Sequence, residues 1–116
     1  MNRIKIRKSI LLLVPVSLMS CNSSIPNALT RKMKIYGNCG MCEETIETAA
    51  LKDQVAELDW DVNTKMATIT FDSTKTDLDA ILKRVAESGY DSDYFTAPDN
   101  VYNKLHTCCK YDRKAE

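Results

Sequence analysis

Two cysteines three residues apart, Cys39 and Cys42, stand between an apolar strand-like run from Met33 to Tyr36 and a helix-like run that opens at Glu43. This placement constrains the chain more than any other feature. A strand must turn into a helix across a short loop, Gly37-Asn38-Cys39-Gly40-Met41-Cys42, and both sulfurs can converge on one point at the helix start. The first N–H groups of a helix carry partial positive charge, which favours thiolate over thiol, the form that binds metal and attacks disulfides. Glu43 and Glu44 suit the same dipole, but their charge opposes a thiolate beside them.

The flanking pattern predicts one small domain. In Arg31-Lys32-Met33-Lys34-Ile35-Tyr36 polar and apolar residues alternate, which predicts a first strand with Met33 and Ile35 facing inward. Ile46, Ala49 and Ala50, with Cys42 behind them, fall at helical spacing, with Glu43, Glu44, Glu47 and Lys52 outside. Two strand runs follow, Val55 to Asp61 and Lys65 to Phe71, joined by Val62-Asn63-Thr64. Leu58 and Trp60 in the first, and Ala67, Ile69 and Phe71 in the second, form the inner faces. Thr76 with Asp79 reads as a capping box, and Leu78, Ile81, Leu82 and Val85 form the stripe of a second helix ending at Gly89. Tyr90 to Phe95 completes the order as a fourth strand. The fold class is therefore α+β: a ferredoxin-like βαββαβ sandwich, its antiparallel four-stranded sheet carrying two helices on one face.

Residues 1–20 do not join this pattern. A basic stretch from Arg3 to Lys8 precedes an apolar run, Ile10 to Leu18, too short to span a bilayer comfortably. Leu18-Met19-Ser20-Cys21 resembles a bacterial lipobox, which implies cleavage before Cys21 and lipid on its sulfur. The expected division is a lipoprotein signal peptide at 1–20, a flexible tether at 21–29, the folded domain at 30–98 and a cysteine-containing tail at 99–116. An exported module, lipid-anchored to a bacterial membrane and facing the periplasm, follows from that division. The 16 basic and 16 acidic residues balance over the whole chain, and loss of residues 1–20 leaves 12 basic against 16 acidic. A mildly acidic module lacks the basic stripe that nucleic acid requires, so no nucleic-acid partner is expected.

The CxxC between first strand and first helix, within this order of elements, resembles the heavy-metal-associated domain family, which includes copper chaperones and periplasmic mercury-binding proteins. The resemblance covers about residues 30 to 97. It implies that Cys39 and Cys42 are the metal ligands and that Gly89-Tyr90 is the glycine–aromatic pair near the metal loop. It further implies stepwise transfer of the ion to a metal-transporting or metal-accepting protein. The chain departs from the family's usual Gly-Met-x-Cys-x-x-Cys: Gly37-Asn38-Cys39 is one residue shorter, and Met41 lies inside the CxxC. Two soft thiolates on a loop suit a soft ion of low coordination number, so Cu(I) leads and Hg(II) follows, whereas Zn(II) needs two further ligands. A monomer is expected.

The tail lies beyond the usual domain. Asp99 can cap a short helix to Leu105 whose Val101, Tyr102 and Leu105 dock on the domain, delivering His106, Cys108 and Cys109. Those cysteines can complete a four-ligand Zn-type site with Cys39 and Cys42, pair with them as disulfides, or act as a separate staple; His106 is a further candidate ligand. A bridge between adjacent Cys108 and Cys109 would be strained. An exported CxxC at a helix start also suits a thiol–disulfide redox protein, but the aromatic residue before the first cysteine that such proteins carry is replaced by Asn38. No serine–histidine–aspartate set is available around the single histidine, and no phosphate-binding loop occurs, so no enzyme is expected.

Overall fold

The computed structural model describes residues 25–115; the expected signal segment and Cys21 lie outside the described residues. Strand β1 (Ala28–Lys34) starts within the stretch expected to be tether, and is followed by α1 (Gly40–Ala50), β2 (Ala56–Trp60), β3 (Met66–Asp72) and α2 (Leu78–Glu87). A one-turn helix α3 (Asp99–Tyr102) and a 3-10 turn at Thr107–Cys109 form the tail. The sheet is antiparallel with order β1-β3-β2, Met33 lying opposite Ala67 and Ala67 opposite Trp60. Alternation explains its two faces. Met33, Ala56, Leu58, Trp60, Ala67, Ile69 and Phe71 form one buried side, while Thr30, Lys32, Glu57, Asp59, Thr68 and Thr70 line the other. From α1, Cys42, Ile46 and Ala50 close over the apolar side, and Ile81, Leu82 and Val85 do so from α2.

The expected fourth strand does not form. The sheet has three strands among the described residues, and Tyr90–Phe95 contributes a single bridge, Ile35 to Ser92. Local polar bonds explain the loss. The Ser92 amide donates to the Phe95 carbonyl (2.8 Å) and the Phe95 amide donates to Ser92 Oγ (3.2 Å), so the chain folds back on itself. Asp91, fully buried, accepts from the Ala97 amide (2.7 Å), which draws the next residues off the sheet line.

Three helix boundaries also differ from expectation. Helix α1 opens at Gly40 instead of Glu43, which puts Cys42 inside its first turn and Cys39 at the N-cap. The cap of α2 is Asp77, whose carboxylate accepts from the Ala80 amide at 2.8 Å, so the expected Thr76–Asp79 capping box does not form. The tail helix stops after one turn and Asp99 does not cap it; its carboxylate instead pairs with Arg113 at 2.7 Å. The end of α2 is as expected. Gly89 takes φ +110°, its amide bonds the Ala86 carbonyl and the Tyr90 amide bonds that of Val85, a Schellman closure that favours glycine. Arg84 of α2 donates to the carbonyls of Ala49 and Ala50 (3.2 and 2.9 Å), satisfying the open C-terminus of α1.

Candidate metal centre

The loop that carries Cys39 is shaped by Trp60. Its indole lies buried at the end of β2, donates from Nε1 to the Ile35 carbonyl at 2.9 Å, and presses on Gly37 so closely that a Cβ there would stand 3.0 Å from the ring. Glu47 of α1 reaches the Trp60 amide at 3.0 Å, tying helix to strand just below the loop. The Tyr36 amide bonds the Asp91 carbonyl, and the chain then runs through Gly37 into the cap of α1. Met41 therefore does not fill a core position as a loop anchor; it stands 48% exposed beside the cysteines.

The two sulfurs converge as expected: Cys39 Sγ and Cys42 Sγ are 3.9 Å apart. Cys42 is fully buried and accepts from the Asn38 amide at 3.4 Å, while Cys39 is half-buried at the rim. The amides of Cys42 and Met41 face the Cys39 sulfur and outweigh desolvation, holding its thiol below the ordinary range. Cys39 is thus favoured as a thiolate.

The tail reaches this point. The sulfurs of Cys39, Cys108 and Cys109 all lie within 4.8 Å of one another, and Cys108 and Cys109 are 3.9 Å apart. Cys109 is buried against Cys42 and Tyr90, and burial, with Cys42 and Cys108 beside it, raises its thiol well above the ordinary value. Cys108 is exposed and places its sulfur 3.6 Å from Met41 Sδ. Tyr90 is buried under the cluster, and burial with the neighbouring Cys42 and Cys109 raises its hydroxyl above its ordinary value. The four cysteines among the described residues are free thiols. His106 is exposed; its carbonyl accepts from the Cys109 amide at 2.8 Å, and its ring is not part of the sulfur group.

Several residues that hold the tail carried no signal in the sequence. Tyr111 stacks on Tyr90 (centroids 5.5 Å), donates to the Gly89 carbonyl (2.7 Å) and accepts from the Asp91 amide (2.9 Å). Arg113 pairs with Asp91 at 2.8 Å and donates to the Ala97 carbonyl. A tyrosine and an arginine in a polar tail look like any solvated pair, and only the buried Asp91 opposite gives them their role.

The small α+β module has a thiol pair at the opening of its first helix and further thiols brought to the same point, a grouping that could hold a metal ion. A model of the heavy-metal-associated domain family matches residues 38–91, a span holding both Cys39 and Cys42 and ending at Asp91 beneath the tail. No curated protein and no solved structure matches the chain. Among the described residues no helix is long and apolar enough to cross a membrane.

Proposed function

We propose that this protein captures a soft metal ion, Cu(I) ahead of Hg(II), through Cys39 and Cys42, and passes it on or sequesters it. The carrying observation is the 3.9 Å sulfur pair at the start of α1, inside the segment that matches the heavy-metal-associated domain. Cys39 at the helix cap and Cys42 in the first turn bind the ion as thiolates, their protons leaving to solvent as the metal–sulfur bonds form. Thiolates select soft ions over the hard cations that carboxylates hold. The pattern of residues 1–21 supports export and a lipid anchor on Cys21, which would set the module at a membrane surface as a monomer facing a metal-accepting protein.

The test is a competition titration of the reduced protein with Cu(I), Hg(II) and Zn(II) against chelators of known affinity. One ion per chain, with Cu(I) or Hg(II) preferred over Zn(II), is the expected result. Unchanged Cu(I) affinity in a Cys39→Ser, Cys42→Ser double variant would remove the proposal.

A further inference from the structure

We infer that Cys108 and Cys109 are metal ligands, and that the docked tail converts the CxxC into a three-thiolate Cu(I) site of Cys39, Cys108 and Cys109 with Cys42 on its buried side. The inference rests on the capture of a soft ion proposed above and names the ligand set that holds it.

Sulfur spacing carries the first step. With a metal–sulfur bond of about 2.3 Å, a linear two-coordinate ion needs its sulfurs about 4.6 Å apart, a trigonal one about 4.0 Å and a tetrahedral one about 3.8 Å. The Cys39–Cys42 and Cys108–Cys109 separations are both 3.9 Å. Each pair is thus an edge of a three- or four-coordinate site, not the diameter of a linear one. Cys39, Cys108 and Cys109 already surround one point, since their sulfurs lie within 4.8 Å of one another before any ion draws them in.

The second step is that the tail is built to stay there. Tyr111 locks onto Gly89 and Asp91, the Tyr102 hydroxyl donates to the Tyr111 carbonyl at 2.7 Å, and Arg113 joins Asp91 to Asp99. Leu105 packs over Gly89, where a Cβ would meet its side chain at 3.0 Å. Asn38 Nδ2 donates to the Cys108 carbonyl at 3.4 Å, fastening the cysteines to the CxxC loop itself. A purely structural role does not explain Cys108, which is exposed and fills no core position. As an open-side ligand it has a reason to be a cysteine, and the Met41 thioether beside it extends the soft surroundings. Protons on Cys108 and Cys109 leave to solvent as their metal–sulfur bonds form.

The chain therefore supplies from its own tail thiolates that a partner would otherwise bring. It holds its ion more firmly than a bare CxxC does, and releases it when the tail is displaced.

The test uses the full chain, reduced and loaded anaerobically with one equivalent of Cu(I), beside a Cys108→Ser variant and the Cys39→Ser, Cys42→Ser double variant. Copper-edge X-ray absorption should count three sulfur neighbours in the unaltered protein, and Cys108→Ser should lower both that count and the Cu(I) affinity, the latter by at least the roughly 10- to 100-fold that loss of an outer-shell partner costs. Because Cys108 is exposed, its replacement leaves the core intact, and the sulfur count of the unaltered protein needs no variant at all. Two sulfur neighbours, or a count and affinity unchanged in Cys108→Ser while the double variant loses binding, would overturn the inference and leave capture by Cys39 and Cys42 standing. Failure of the unaltered protein to bind Cu(I) would overturn both.

Discussion

Gly37 and Gly40 flank Cys39 and make opposite demands. At Gly37 a methyl group would lie 3.0 Å from two indole carbons of Trp60 and 3.3 Å from Cys42 Cβ. The indole cannot swing away without breaking its bond to the Ile35 carbonyl, so Gly37→Ala overpacks a fixed ring. Chemical denaturation should show a loss of about 1–3 kcal/mol. At Gly40, the first residue of α1, an added Cβ meets nothing within 4 Å. Gly40→Ala should therefore stabilise by about 0.4–1 kcal/mol, since the substitution restricts the unfolded chain without straining the folded one. Equal midpoints for the two variants would show that the loop is not held by Trp60.

At the scale of elements, the second helix and the hairpin were legible because each carries its own period. Leu78, Ile81, Leu82 and Val85 in one, and Leu58, Trp60, Ala67, Ile69 and Phe71 in the other, point to one core whatever surrounds them. The fourth strand was not legible: it is lost to Ser92 bonding back to Phe95 and Asp91 taking the Ala97 amide, side-chain-to-backbone bonds that a period of apolar residues does not report. The start of α1 escaped for a different reason, since its N-cap is Cys39 and no side-chain cap bond marks the boundary. Of the candidate site, the CxxC pair was legible from spacing alone, whereas the arrival of Cys108 and Cys109 depended on how the tail closes. The end of α1 carries a prediction of its own. Arg84→Met keeps the aliphatic stem but removes the donors to the Ala49 and Ala50 carbonyls. The thermal midpoint should fall, by the equivalent of about 1–2 kcal/mol, with no change in Cu(I) affinity, because this contact lies at the far end of α1 from Cys39.

The whole molecule is tied together where domain and tail meet at Asp91, and this joint should be sensitive to acid. Burial of Asp91 favours its neutral form, but the bonds from Arg113 and from the Ala97 amide outweigh that and hold the carboxyl below its ordinary value. A group whose folded-state pKa is depressed adds stability above its unfolded value, about 3.9 for aspartate, and loses it as pH falls through the folded value. Stability should thus be level near neutrality and decline below about pH 4, where protonation of Asp91 removes charge-assisted bonds worth about 1.5–3 kcal/mol. Asp61 and Asp72, also held below the ordinary carboxylate value, add to the same decline: the Thr64 and Asn63 amides favour the charged form of Asp61, and Thr74 that of Asp72. Asp91→Asn isolates the joint: it should be less stable than the unaltered protein at pH 7 and approach it below pH 3. In the same acid range the NMR ring signals of Tyr111 should report release of the tail in the unaltered protein, since its ring then leaves the stack on Tyr90. Parallel stability–pH curves for the two proteins would mean that Arg113 and Asp91 do not hold the tail, and that Tyr111, Tyr102, Leu105 and Asn38 keep Cys108 and Cys109 beside Cys39.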